Sequence, residues 1–380
     1  MQTWTSSPLL GILFAAVAGC GGQTAGASIS NDAGFSQNDA GTQTAGQLDA
    51  SDGDDSATDA SAASGPVGLL TFAPGEYLGL IAFDDQYVYA GLFSSDSTNG
   101  DICGWQSRWV RVAKDGSSSS DLGDASTCIF NLNATAVVLD GSLYWLGWDS
   151  SDGGGVTSLM TMPTTGGSAT RLRDFPQGLD GIGTDGSNLF AVSTGTDANY
   201  YSDGAVLRLG LDGTPTTLAS NQTAARWIGI TNGALVWSVS TDCGFENTNC
   251  QSTTFLSSST TAEDGGAATI AVVAGSFYPA TASNGSIFFM GSTSVLRLSL
   301  SGSQTTFVTV PWESNGYLPI DRLRISGTEV IAGSDDTDTD YLLAQPIPFD
   351  PPFVQSVVFD VDNGFAYAQL DGGLQRLPVP

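Results

Sequence analysis

Asp336, Asp338 and Asp340 stand at alternate positions in the segment SDDTDTDYL, and this is the spacing in the chain best suited to metal chemistry. On an extended segment alternate side chains share a face, so the three carboxylates converge as oxygen ligands of the kind that take Ca²⁺. A solvated hairpin tip is the competing account. A second set is aromatic: Trp105, Trp148, Tyr200, Tyr201, Phe245, Trp312 and Tyr317 fall among Asp and Asn in connecting segments. Exposed aromatics beside acids are what sugar-stacking and protein-binding surfaces use, while the bland alternative packs them under their own loops. Arg226, Trp227, Phe277 and Tyr278 are assigned to the segments that cross from one repeat to the next.

Other chemistries are thinned out by composition. The 380 residues contain no histidine, which removes the commonest general base and the commonest transition-metal ligand. With 11 Lys plus Arg against 39 Asp plus Glu, the net charge is −28, a field that repels nucleic acid. No Ser-base pair, Cys-His pair or phosphate-cradling glycine loop is present, so no catalytic residue is assigned. Carboxylate pairs are too numerous for any one of them to be informative.

The N-terminus reads as an export signal. Residues 9–19 form an apolar run too short to span a bilayer as a mature helix, and it stops at Cys20. No Lys or Arg precedes the run, so the α-amino group alone supplies its positive end. From residue 20 to 66 the chain is mostly Ala, Gly, Ser, Thr and Asp with one aromatic, Phe35. Such a segment buries too little surface to offset its ordering entropy and serves as a disordered tether, reaching about 35–40 Å. After Cys20 four cysteines remain, Cys103, Cys128, Cys243 and Cys250. An even number in an exported chain argues disulfides, and the local pairing, 243 with 250 and 103 with 128, is favoured among the three connectivities.

The elements that must position these residues are repeats. Seven times an apolar run meets an Asp, Asn or Ser turn and returns as aromatic and β-branched residues, with anchors at Asp85, Asp140, Asp185, Asn232, Asn284, Ser326 and Asp362. A later hairpin recurs with glycine-centred turns, as in AVLRLGLDGTPTTLA at 205–219 and SVLRLSLSGSQTTF at 294–307. Four short strands per unit and no helical period predict an all-β fold, a seven-bladed β-propeller of four-stranded antiparallel blades over residues 67–380. The C-terminus supplies only three strands, so VGLLTFAPG at 67–75 is expected to close the last blade as its outer strand. First-to-second and third-to-fourth turns are tight on one face of the ring. The longer second-to-third connections, in blades one, two, three, four and six, emerge on the other.

Two resemblances follow from these residues. Val17-Ala18-Gly19-Cys20 resembles the lipobox of bacterial lipoproteins, which implies a signal peptide at 1–19 and lipidation of Cys20. Gly21 after that cysteine implies the outer membrane. The repeats, through LRLGLDGTPTTLAS (207–220) and LDGSLYWLG (139–147), resemble exported bacterial propellers with YWTD, NHL and TolB-like kin. That likeness implies fold and export, not activity. The expectation is therefore a monomeric, lipid-anchored envelope propeller that touches the membrane through its anchor only, binds a protein or glycan by its long-loop face, and has no nucleic-acid partner. No cofactor is expected unless Ca²⁺ occupies the aspartate set. Two rivals stand beside it: a carboxylate-dependent polysaccharide hydrolase or lyase assisted by Ca²⁺, and an accessory lipoprotein of outer-membrane assembly.

Overall fold

The computed structural model describes residues 67–94, 106–127, 135–149, 156–193, 195, 203–241, 252–261, 266–275, 279–291, 294–309, 322–326, 329–334, 339–343, 359–370 and 372–378. Every regular element among them is a β-strand. Blade one holds β2 (Glu76–Phe83), β3 (Tyr87–Ser94), β4 (Gln106–Ala113) and β5 (Ser119–Asp124), hydrogen-bonded in that order. Blade two holds β6 (Ala136–Leu139), β7 (Ser142–Asp149), β8 (Val156–Pro163) and β9 (Thr170–Phe175). Blade three holds β10 (Leu179–Thr184), β11 (Leu189–Ser193), β12 (Ala205–Leu209) and β13 (Pro215–Ala219). Blade four holds β14 (Arg226–Thr231), β15 (Ala234–Thr241), β16 (Ser252–Ser259) and β17 (Ala268–Ala274). Blade five holds β18 (Ala280–Ser283), β19 (Ser286–Met290), β20 (Ser294–Ser299) and β21 (Gln304–Thr309). A sheet of three described strands follows: β22 (Arg322–Ser326), β23 (Glu329–Ser334) and β24 (Thr339–Leu343). The last sheet joins both chain regions: β25 (Phe359–Asp362), β26 (Phe365–Leu370) and β27 (Gly373–Pro378), with β1 (Val67–Thr71) antiparallel to β27.

Burial within a blade runs from inside outward, and the sequence follows it. Second strands are packed on both faces, so they read as unbroken apolar runs rather than alternations: LFAVS in β11 is buried at every position. Outer strands have one wet side, and TRLRDF in β9 carries its charges there. The seams between sheets form the core. Trp109 of blade one meets Trp145 of blade two at 5.4 Å between ring centroids, and both are fully buried. The first strands of successive sheets are neighbours in order, and β25 lies beside β2.

The first-to-second turns take two forms. Asp140-Gly141, Asn232-Gly233, Asn284-Gly285 and Asn363-Gly364 have paired positive φ angles, the two-residue hairpin that matches strand twist. In blades one and three the turn is longer and closed by a carboxylate. Asp185 accepts from the N–H groups of Ser187 and Asn188, and its counterpart is Asp84, accepting from Gln86 and Tyr87. The anchor in blade one is thus one residue earlier than Asp85, and in the last sheet the positive-φ pair is Asn363-Gly364, one residue beyond Asp362.

Outer strands share one irregularity. Each described pairing of third and fourth strands slips by one residue, leaving Leu122, Leu172, Leu218, Ile270, Phe307 or Leu69 as the extra residue. Such a bulge twists the strand and turns an apolar side chain inward. The third-to-fourth turn of the next blade then docks on it: Gly167 N–H donates to the Leu122 carbonyl at 2.9 Å. Glycine is required at these turns on two counts, shown by Gly302. Its φ is +90°, and a Cβ there would stand 2.9 Å from the Ile270 carbonyl oxygen. An arginine of the third strand completes the joint, Arg111 donating to the Thr164 carbonyl and Arg376 to the Lys114 carbonyl.

Candidate functional site

Most of the residues named from sequence lie outside the described residues: Cys20, Cys103, Cys128, Cys243 and Cys250, the aromatics Trp105, Tyr200, Tyr201, Phe245, Trp312 and Tyr317, and Asp336 and Asp338. Phe277 and Tyr278 do as well. Two are placed by backbone register alone. Trp148 is opposite Thr157 near the end of β7, and Asp340 is opposite Gly333 at the start of β24. Both flank a second-to-third connection. Arg226 and Trp227 are strand residues of β14, not part of a crossing loop, because the hydrogen-bond ladder with β15 starts at Arg226.

The end of the blades where those connections emerge is also where the first strands begin, and the ion pairs Glu76–Arg108 and Asp180–Arg226 give this mouth its polar character. Three first strands carry a bulge at this end, at Gly79, Asp180 and Ile228. They belong to blades one, three and four. Bulges of this kind re-aim side chains, and two of the three sit beside ion pairs.

In blade one Arg108 holds both oxygens of Glu76, at 2.7 and 3.0 Å, and reaches Asp121 at 2.6 Å. Those two bonds from Arg108 are the main reason that the Glu76 carboxyl lies below its ordinary range; burial opposes them, and the Ala73 N–H adds to them. A carboxyl depressed in the folded state contributes stability that is complete above its unfolded value of about 4.3 and is lost as pH falls through the lower, folded value. Glu76→Gln is therefore expected to lose stability at neutral pH, with the gap from the parent chain narrowing only in strong acid. Urea midpoints measured down the pH scale check this; a gap independent of pH would contradict it.

On the opposite face of the same strand Tyr77 stacks on Phe93 at 5.7 Å and an interplanar angle of 27°. Tyr77 is 44 % exposed, one of few large apolar side chains so placed, whereas Phe93 is buried and rooted in the seam with blade two. Between blades three and four, Asp180 accepts from Arg226 Nη1 at 2.6 Å and from the Trp227 N–H at 2.8 Å. Each carboxylate is fixed by a guanidinium, an arrangement that shapes a rigid surface.

The tight-turn end differs. Tyr89 donates to Asp84 at 2.6 Å, and burial, then that bond, push its phenol above the ordinary range. Burial likewise pushes Tyr367 up to about 12, with Asp362 adding to it. Lys114 is bound to Asp362 across the seam between the last sheet and blade one. Arg111 lies 4.7 Å over the Tyr87 ring and Arg376 lies 4.6 Å over Phe365. Three of the chain's 11 Lys and Arg thus serve joints at this end, in a sequence with 39 Asp and Glu. The sequence held one sign of the mouth residues: Glu76, Tyr77, Asp180 and Arg226 open first strands, where a charged or large aromatic residue interrupts a small-residue pattern.

No protein-family model matches the chain, and no curated protein does. Solved structures do, at the level of fold. The β-propeller domain of the Trilobed protease from Pyrococcus furiosus is similar over 82 % of this chain and 97 % of that one, with a TM-score of 0.53 and 10 % identity. An acylaminoacyl peptidase complexed with a chloromethyl ketone is similar over 79 % of this chain, TM-score 0.52 and 12 % identity, and the chain spans 52 % of its length. PorZ of Porphyromonas gingivalis, a surface component of the type-IX secretion system, is similar over 80 % of this chain and 46 % of its own, with a TM-score of 0.50 and 12 % identity. The fold shared with these structures is the β-propeller, built here from all-β, antiparallel blades.

Proposed function

We propose that the chain is a seven-bladed propeller closed by its N-terminal strand, tethered to the bacterial envelope through lipidated Cys20, and that it binds a protein or glycan through the long-loop end. One observation carries this reading: the bulged first strands belong to blades one, three and four, the blades with the longest second-to-third connections. The mouth is therefore unequal around the ring, with an exposed aromatic platform, Tyr77 on Phe93, on one side and the Asp180–Arg226 pair on another. PorZ supports a surface role by analogy of fold. The net charge of −28 favours a neutral or basic partner and disfavours nucleic acid. In this reading the two cysteine pairs pin the longest connections, and the aspartates at 336, 338 and 340 take Ca²⁺.

The experiment is binding of the purified full chain to a glycan array and to envelope proteins, with Tyr77→Ala compared against Thr165→Ala at the tight-turn end. Loss of an aromatic platform removes about 1–2 kcal/mol of contact, a fall in affinity on the order of tenfold. Thr165→Ala is expected to bind as the parent does. Equal affinity in the parent chain and Tyr77→Ala, or an equal loss in both variants, would refute the assignment of the mouth.

A further inference from the structure

Two polar atoms in the seam between blades one and two are buried with no hydrogen-bond partner among the described residues, Ser107 Oγ and Trp109 Nε1. Ser107 is 4 % exposed and Trp109 fully buried. They stand at alternate positions of β4, so both side chains leave the same face of the strand, the one that meets Phe93, Leu122, Ala125 and Trp145. A buried indole N–H left unpaired costs about 1–3 kcal/mol, and two orphans on one face compound the cost.

The surroundings are polar where an apolar seam would be expected. Among the described residues Trp145 Nε1 reaches Thr127 Oγ1 at 3.4 Å, and that hydroxyl reaches the Ala125 carbonyl, also at 3.4 Å. Thr127 enters the seam because Gly147 leaves room: a Cβ at Gly147 would lie 2.4 Å from Thr127 Oγ1. The contrast is Trp237, equally buried, whose indole donates to Gln222 Oε1 at 2.9 Å. There a side chain of the protein supplies the acceptor.

We propose that a single bound water occupies this seam, accepting from Trp109 Nε1 and donating to Ser107 Oγ, with Thr127 Oγ1 as a third neighbour. The chemistry selects water among occupants. An indole only donates, so its partner must accept. An anion would accept but would be buried without a countercharge, and a cation would face the positive edge of the N–H. The serine hydroxyl can donate or accept, so a small neutral acceptor satisfies both orphans, and water is the smallest of these; buried waters make about three such bonds. Ser107 is opposite Phe93 in the ladder, and Phe93 is opposite Tyr77, so the water completes the hydrogen bonding beneath the exposed stack.

The test is a high-resolution crystal structure of the full chain together with the indole resonances of the protein in solution. The expected result is an ordered oxygen about 2.9 Å from Trp109 Nε1 and within reach of Ser107 Oγ. The Trp109 indole proton is expected to show a cross-peak to water, and Ser107→Ala to shift that resonance while leaving the Trp237 indole unchanged. A Trp109 N–H bonded directly to a protein acceptor, a seam without an ordered oxygen, or a Trp109 resonance indifferent to Ser107→Ala would each overturn the assignment.

Discussion

Gly183→Val is expected to lower stability by about 2–3 kcal/mol, and to cost much less in a chain that also carries Trp227→Ala. The Trp227 indole lies along the first strand of the preceding blade. A Cβ at Gly183 would stand 2.3 Å from one ring atom, and a Cβ at Gly181 would stand 2.8 Å from another. Neither contact is relieved by turning a flexible tail, since the ring is rigid and its backbone N–H is held by Asp180 at 2.8 Å. The ring must rotate away or the two first strands must part. Chemical denaturation of the four proteins in the cycle measures the coupling: a strong interaction energy is expected, and additive effects would mean that the glycines are there for their backbone rather than for the ring.

The pair Gly181 and Gly183 also illustrates how far the sequence can be read. Hairpin turns are local, so Asn-Gly and Asp-Gly between apolar runs point to strands and blades without any knowledge of contacts. Even there the carboxylate that closes the blade-one turn is Asp84, because a four-residue turn needs its acceptor at the first position, and Asp84-Asp85 offers two choices that look alike in one dimension. The mouth is harder. Glu76 and Arg108 are 32 residues apart, Asp180 and Arg226 are 46 apart, and neither separation has a local signature. Arg226 and Trp227 look like loop residues because the bulge at Ile228 interrupts the alternation that would mark a strand. Buried indoles such as Trp145 read as scaffold by the apolar run around them, while Tyr77, in a similar run, is exposed as the second residue of a first strand.

Leu69→Asp is expected to cost about 3–5 kcal/mol, whereas Gly68→Ala beside it is expected to be close to neutral. Leu69 is the extra residue of the bulge in β1, the place taken by Leu122 and Leu218 in blades one and three, and it is buried among Phe72, Leu78 and Leu374. A carboxylate there is buried among apolar side chains, so it must either stay charged at a large desolvation cost or drive β1 off β27. Gly68 has open space around its Cβ position, which makes it the control for a change in the same strand. The comparison asks whether β1 is part of the cooperative unit. β27 already bonds β26 on its other side, and the joint to blade one has its own ties, the Leu78 N–H to Gln369 at 2.8 Å and the Arg376 bond to the Lys114 carbonyl. If those ties were enough, Leu69→Asp would release β1 with little change in the global unfolding transition. If the outer strand seals the ring, removing it bares an edge of β27 and uncovers the Phe72–Leu78 seam at once, and the urea midpoint falls for the whole propeller.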